Sequence, residues 1–219
     1  MANRFHDGCA HAGSRSEQGA ALVTVLFLVL AVLMMSVSST RASLAAVKSA
    51  RHERDRHIAH QAAQAALVDA ERDIAGAAGP ASARTAIFNA ADAGAFADRC
   101  TGSGENAGLC RLAPAPGVPA WQAVDLEGEA AVEYGHFTGA SMPTGAALLP
   151  ARAPRYIVEL LALPGAEPSY RITAIGFGAS AATRVVLQEY YRRASSSAPA
   201  KRLGWREVAN WPELHAAAL

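Results

Sequence analysis

The chain has 219 residues, enough for one ordinary domain with an appendage. Its formal net charge is +1, so no bulk field directs it to nucleic acid or to acidic substrates. Aromatic residues make up only 6 % of it while alanine is abundant, which points to helix and small-residue packing rather than to a large aromatic core.

Residues 1–18 (MANRFHDGCAHAGSRSEQ) are polar and aperiodic, and they read as a leader or arm. Gly19 follows. From Ala20 to Thr40 the chain runs AALVTVLFLVLAVLMMSVSST without a charge. About 20 helical residues rising ~1.5 Å each cross a ~30 Å hydrocarbon core, so this stretch is long enough to span a bilayer. A secretory signal has a shorter apolar core of roughly 7–15 residues, although Ala42-Ser43-Leu44-Ala45 offers small residues for such a cleavage. Arg15 is balanced by Glu17, whereas Arg41, Lys48 and Arg51 follow the span. On flanking charge alone the C-terminal side would stay cytoplasmic.

No glycine or proline interrupts Ala20–Ala75, and 41–75 is rich in Ala, Arg, Leu and Gln, all good helix formers. Leu44, Val47, Ile58, Ala62, Ala65, Leu67 and Ile74 mark a partly apolar stripe. Gly76, Gly79 and Pro80 end it. The predicted helix is roughly 56 residues and roughly 84 Å long, apolar all round at first and amphipathic at the end.

Beyond Pro80 a short helix is predicted over 82–97, then the loop CTGSGENAGLC between Cys100 and Cys110, then a proline-rich passage. The pattern changes to strands at 132–138, 155–163, 170–178 and 183–193, which are rich in β-branched and aromatic residues. The short connection 177–183 favours a hairpin and an antiparallel meander. Residues 194–200 (ASSSAPA) form a spacer, 203–208 an edge strand, and 209–219 a tail. The fold class is α+β: a long N-terminal helix, apolar then amphipathic, packed on a C-terminal antiparallel sheet. The segments are 1–19 leader, 20–75 membrane and stem helix, 81–208 head and 209–219 tail.

The three cysteines leave at least one unpaired in a monomer. Cys9 precedes the span. Cys100 and Cys110 follow it and form a disulfide if that side is oxidising, or else stay two free thiols. Zinc is disfavoured by the lack of a CxxC pair and of a nearby histidine. His52, Glu53, Asp55, His57 and His60 crowd one stretch, but HERDRH is not HExxH. A solvated, charge-laced helix with a local Glu53–His57 pair accounts for them. Gly102–Gly108 lacks the spacing of a phosphate loop, and no nucleophile constellation appears. No cofactor and no catalytic residue is implied.

A glycine directly before an uncharged apolar helix, after a short polar leader, resembles a type IV prepilin. The segments QGAALV (18–23), ARHERDRHIAHQAAQAALVDAERDI, EYGHFTGA, PRYIVELL, YRITAIGFGASAATRVVLQEYYRR and RLGWREV, with Gly108-Leu109-Cys110, resemble the PilX-type minor pilins over about 18–208. The resemblance implies cleavage by prepilin peptidase between Gly19 and Ala20, and methylation of Ala20. Most pilins carry glutamate five residues after the cut, where it meets a neighbour's ammonium inside the filament. Here that position is Thr24, and the tip-type minor pilins are similar in lacking the glutamate. The implied partners are minor pilins of the PilV, PilW and FimU types, the major pilin, a tip adhesin and the inner-membrane assembly platform. The head would lie in the periplasm before assembly and at the pilus tip or cell surface afterwards. A minor pseudopilin of a type II secretion system shares this physics. A single-pass membrane sensor is the alternative from another class.

Overall fold

In the computed structural model, residues 17–79, 81–145, 148–161, 168–196 and 198–219 are described. Most of the expected leader, Cys9 with it, lies outside them, as does Pro80. The chain divides into two units, Met1–Arg51 and His52–Leu219.

In the first unit the described chain is the N-terminal part of helix α1 (Glu17–Ala75). Every residue from Gly19 to Arg51 is exposed, Phe27 to 75 % and Leu22 to 71 %. Four of the hydroxyl side chains in this stretch turn back on the helix. Thr24 Oγ1 donates to the Ala21 carbonyl, and Ser36, Thr40 and Ser43 donate to the carbonyls four residues earlier, all at 2.9–3.0 Å. These four hydroxyls are satisfied without water, as a lipid environment favours. The helix is long and apolar enough to cross a membrane.

The second unit is built on a six-stranded sheet, with β1 Leu109–Cys110, β2 Val132–Glu133, β3 Arg155–Leu161, β4 Ser169–Phe177, β5 Arg184–Arg192 and β6 Lys201–Glu207. The order is β1-β3-β4-β5-β6, and β2 also pairs with β3. The meander β3–β6 is antiparallel, as its short connections require. The outer edge of β3 is shared: β2 pairs antiparallel with Arg155 and Tyr156, and β1 runs parallel to Val158 and Glu159. β6 closes the other edge, with a register shift opposite Tyr190 and Tyr191.

The predicted strand over 132–138 shrinks to Val132–Glu133, and the chain then turns. The physical reason is a helix carboxylate: Asp69 takes the Gly135 N–H at 2.7 Å away from any ladder and holds the Thr138 hydroxyl, while the His136 N–H turns back onto the Glu133 carbonyl at 3.1 Å. The predicted helix over 82–97 is likewise short. Helix α2 (Ala83–Ala90) starts at an N-cap, Ser82, which accepts from the Thr85 N–H, and stops at Ala91 in the left-handed region (φ 48°).

Alternation along the strands gives two buried faces. Tyr156, Val158, Leu160, Tyr170, Ile172, Ala174, Val185, Leu187 and Tyr191 meet α1 and α2. Ile157, Ile175, Phe177 and Val186 point the other way, onto the disulfide, Trp121, Leu126 and Trp211. The sheet thus lies between two layers. The second layer includes the short helices α3 (Ala120–Ala123) and α4 (Trp211–Ala216).

The buried stripe of α1 differs in detail from the predicted one. Ala59, Ala62, Ala63, Ala66, Leu67, Ala70 and Ile74 are buried, whereas Ile58 and Ala65 are only partly covered. Alanines dominate because the helix lies close on β4. A methyl at Gly176 would run into the Ala59 carbonyl and the Ala63 N–H, which are backbone and cannot rotate away. Leu67 and Ile74 carry the larger hydrophobic terms, about 1.5–3 kcal/mol for each fully buried side chain.

Candidate functional site

Three features of the described chain bear on the site residues: the apolar span, the joints between the second part of α1 and the sheet, and the disulfide-bracketed loop. Gly19 and Ala20 sit exposed in the first turns of α1, with open space around the Gly19 Cα. Thr24 lies one turn further on. Its hydroxyl is already spent on the Ala21 carbonyl, and a hydroxyl carries no charge with which to neutralise an ammonium.

Three aspartates on the second part of α1 act as hooks, and sequence reasoning did not single out any as one. Asp55 accepts from the Ser180 N–H at 3.1 Å and from the Thr183 hydroxyl, holding the β4–β5 hairpin. Burial pushes its carboxyl up, but bonds from Thr183, Ser180 and Ala179 and the His52 charge together hold it below its ordinary value. Asp69, almost fully buried, captures the 135–138 turn. Gly135 is needed there, since its φ is +81° and a Cβ would meet the Ala140 carbonyl.

Asp73 anchors the deepest joint. It accepts Arg84 Nη2 at 2.6 Å, Arg84 Nε at 3.1 Å and the Tyr156 hydroxyl at 3.0 Å. Asp73 and Arg84 have no exposed side-chain surface. Arg84 Nη1 donates to the Glu105 and Ala107 carbonyls at 2.6 and 2.9 Å. Its guanidinium lies 4.0 Å from the Phe137 ring centroid and 5.1 Å from that of Phe88. A buried ion pair is tolerable when every remaining donor is occupied, and here all three guanidinium nitrogens bond. Burial, then the Asp73 charge, push the Tyr156 phenol well above its ordinary range, so it stays a donor.

The loop that Arg84 grips is closed by a disulfide between Cys100 and Cys110, with Cα atoms 4.3 Å apart. Both cysteines are buried, and Cys110 belongs to β1. One line of contacts therefore runs from α1 through Asp73, Arg84 and the loop carbonyls to the sheet edge. A sequence signal for it existed: Asp69 and Asp73 fall on the same helix face as Ala62, Ala66 and Ala70, and a carboxylate on a face that packs must find a partner.

The second face is finished by the 209–219 segment. Trp211 is buried and its Nε1 donates to the Trp121 carbonyl at 2.9 Å, while His215 Nδ1 lies 2.6 Å from the Gln122 carbonyl. Trp205 stays 57 % exposed on β6. The histidine-rich stretch is a charge-laced surface: His57 and Glu53 pair at 3.3 Å, and Arg56 pairs with Glu207 at 2.6 Å. Among the described residues no group of three or more His, Cys, Asp or Glu side chains is placed to hold a metal ion.

A long helix, apolar at its N-terminal end and packed at its C-terminal end on a mostly antiparallel sheet, defines a pilin-like subunit. The PilX N-terminal family model matches residues 18–68, and the model described as type IV pilus assembly protein PilX C-term matches 106–193. Together they span more than half of the chain. The protein belongs to the PilX family of type IV pilus assembly proteins, and is thus a minor pilin of a structural family. Comparison with the curated proteins and with the solved structures gave no match.

Proposed function

We propose that this minor pilin joins a priming complex that starts type IV pilus assembly and remains at the tip, and that it works through interfaces rather than catalysis. The observation that carries the reading is the span itself. From Ala20 to Thr40 it holds no carboxylate, and Thr24 stands where a pilin glutamate would pair with the ammonium of a neighbour. An unpaired charge in an apolar bundle is costly. A subunit without the glutamate fits a position where no earlier subunit presents an ammonium.

In this reading prepilin peptidase cuts between Gly19 and Ala20, and the helix stays in the inner membrane with its head in the periplasm until assembly. The flanking charges Arg41, Lys48 and Arg51 oppose that orientation on the positive-inside rule. The Cys100–Cys110 disulfide supports a head in an oxidising compartment. Partners are the PilV, PilW and FimU types of minor pilin, the major pilin, a tip adhesin and the assembly platform.

The test has two parts. Intact mass and N-terminal sequence are measured with and without prepilin peptidase, and gold-labelled antibody locates the subunit on sheared filaments. A mature chain starting at methylated Ala20 only when the peptidase is present, with label at filament ends, is the expected result. Gly19→Val blocks the cut. An uncut chain under both conditions overturns the pilin processing, and label along the shaft overturns the tip position alone.

A further inference from the structure

A cleft of about 310 Å³ opens between the second part of α1 and the edge strand β6, with Leu67, Val68, Leu187 and Trp205 on its walls. Glu189 of β5 also lines it. Its side chain has no exposed surface, and its only hydrogen-bond contact is with the Glu71 carboxyl. Its ion-pair partner is Arg202, whose Nε stands 2.8 Å from Oε2. Arg202 is shared, because its Nε and Nη2 also lie 2.9 and 2.8 Å from Glu71 Oε1. Two carboxylates therefore converge on one guanidinium. With both ionised, the cleft is one positive charge short.

We propose that this cleft receives a lysine side chain of a neighbouring polypeptide, with the ammonium joining Glu71 and Glu189 and the methylene stem lying along Leu67, Val68 and Trp205. Lysine fits for three reasons. The missing charge is single, and a lysine ammonium is a compact point charge with three donors for the free carboxylate lone pairs. The route to the carboxylates is apolar, which suits a four-carbon stem. The outer wall is an indole left in solvent, with its ring edge-on to His60 at 6.3 Å, and an aromatic face attracts a cation. A divalent ion is a poorer occupant, since it takes six or more oxygen ligands.

Until a lysine arrives, a proton fills the deficit. Burial, then the charge of Glu71, push the Glu189 carboxyl up to about 8 against the pull of Arg202. The other groups facing it are Tyr191 on its own strand, whose phenol is pushed up first by burial and then by Glu71, and apolar Ile172 opposite it on β4. Lysine binding must therefore displace that proton. Affinity rises about tenfold per pH unit up to about pH 8 and levels off above it. The inference holds wherever in a filament the subunit sits.

The experiment uses the full chain in detergent micelles with ¹⁵N-labelled indoles, the Trp205 signal being assigned by its loss in Trp205→Phe. Nα-acetyl-lysine amide is titrated against Nα-acetyl-norleucine amide, which keeps the stem and lacks the charge. The lysine compound is expected to shift the Trp205 signal saturably, at least about tenfold more tightly than the norleucine compound, with the stated pH dependence. Glu189→Gln is expected to abolish both the preference and the pH dependence, while unmoved Trp121 and Trp211 signals report an intact head. Equal responses to the two compounds, no saturable shift at pH 9, or lysine binding unchanged in Glu189→Gln would each overturn the proposal.

Discussion

Between Gly19 and Arg51 helix α1 exposes every side chain, and four of its hydroxyls turn inward onto its own carbonyls. Between Ala59 and Ile74 the same helix buries a stripe of alanines and sends two carboxylates into the head. The backbone geometry is shared; the difference lies in what the side chains must meet. A segment whose surroundings are uniform needs only the right hydropathy, and many sequences supply it. A segment packed against a specific sheet needs small residues where backbones approach and charged residues where a partner waits. Substitutions in the first region should therefore report on solvent transfer, and substitutions in the second on individual contacts.

The sharpest way to break this comparison is Asp73→Ala. It leaves Arg84 buried without its counter-charge, and a loss of about 3–5 kcal/mol of head stability is expected, read by urea unfolding of the detergent-solubilised chain. The paired change Asp73→Leu with Arg84→Met should cost less than Asp73→Ala alone, because no charge is then stranded. A single-variant loss below about 1 kcal/mol would mean that the joint does not hold the head.

The opposite behaviour is expected in the first region. Leu30→Arg should disfavour membrane insertion by about 2.5–3.5 kcal/mol near the middle of the span, measured as the membrane-bound fraction. It should leave the urea midpoint of the head unchanged. A shift in that midpoint would show that the two regions are not energetically separate.

Opening the Cys100–Cys110 loop with Cys100→Ser and Cys110→Ser comes next. For a loop of this size chain entropy predicts a loss of about 3 kcal/mol, seen as a lower unfolding midpoint. Gly176→Ala should follow with about 1–3 kcal/mol, since its methyl meets the helix backbone. Gly204→Ala serves as its comparator, as the space around Gly204 is open; equal costs for the two would contradict the close helix–sheet approach.

The smallest effect is the pH dependence from Asp55. Its carboxyl is held below the ordinary value in the folded chain. Its stabilisation is therefore present above about pH 3.9 and lost as pH falls through the lowered value. The acid limb of stability should be shallower in Asp55→Asn than in the parent, and an identical limb would remove Asp55 from the account.

Much of this molecule was legible as pattern. The uncharged run Ala20–Thr40, the unbroken helix to Ala75, the four long strands of the meander and the order of helix before sheet follow from hydropathy, propensity and the absence of glycine and proline, all of which act over a few neighbouring residues. The Cys100 and Cys110 bracket was legible as a candidate, because two cysteines enclosing a glycine-rich loop can always meet. Other features depended on partners far away in the chain. The strand predicted over 132–138 stops at Glu133 because Asp69 claims the Gly135 N–H and the chain turns there. The apolar stripe shifts to Ala59, Ala63 and Ala66 because Gly176 lets the sheet come close. Trp121 and Trp211 are buried while Trp205 is not, because only the first two lie under the second face of the sheet. Arg84 is buried because Asp73 and two carbonyls surround it. The sequence by itself determined which segments are helix, span and strand, since those depend on local periodicity; only the tertiary structure decided which charges are buried and which edges are open, since a charge is stable inside only where distant residues complete its shell.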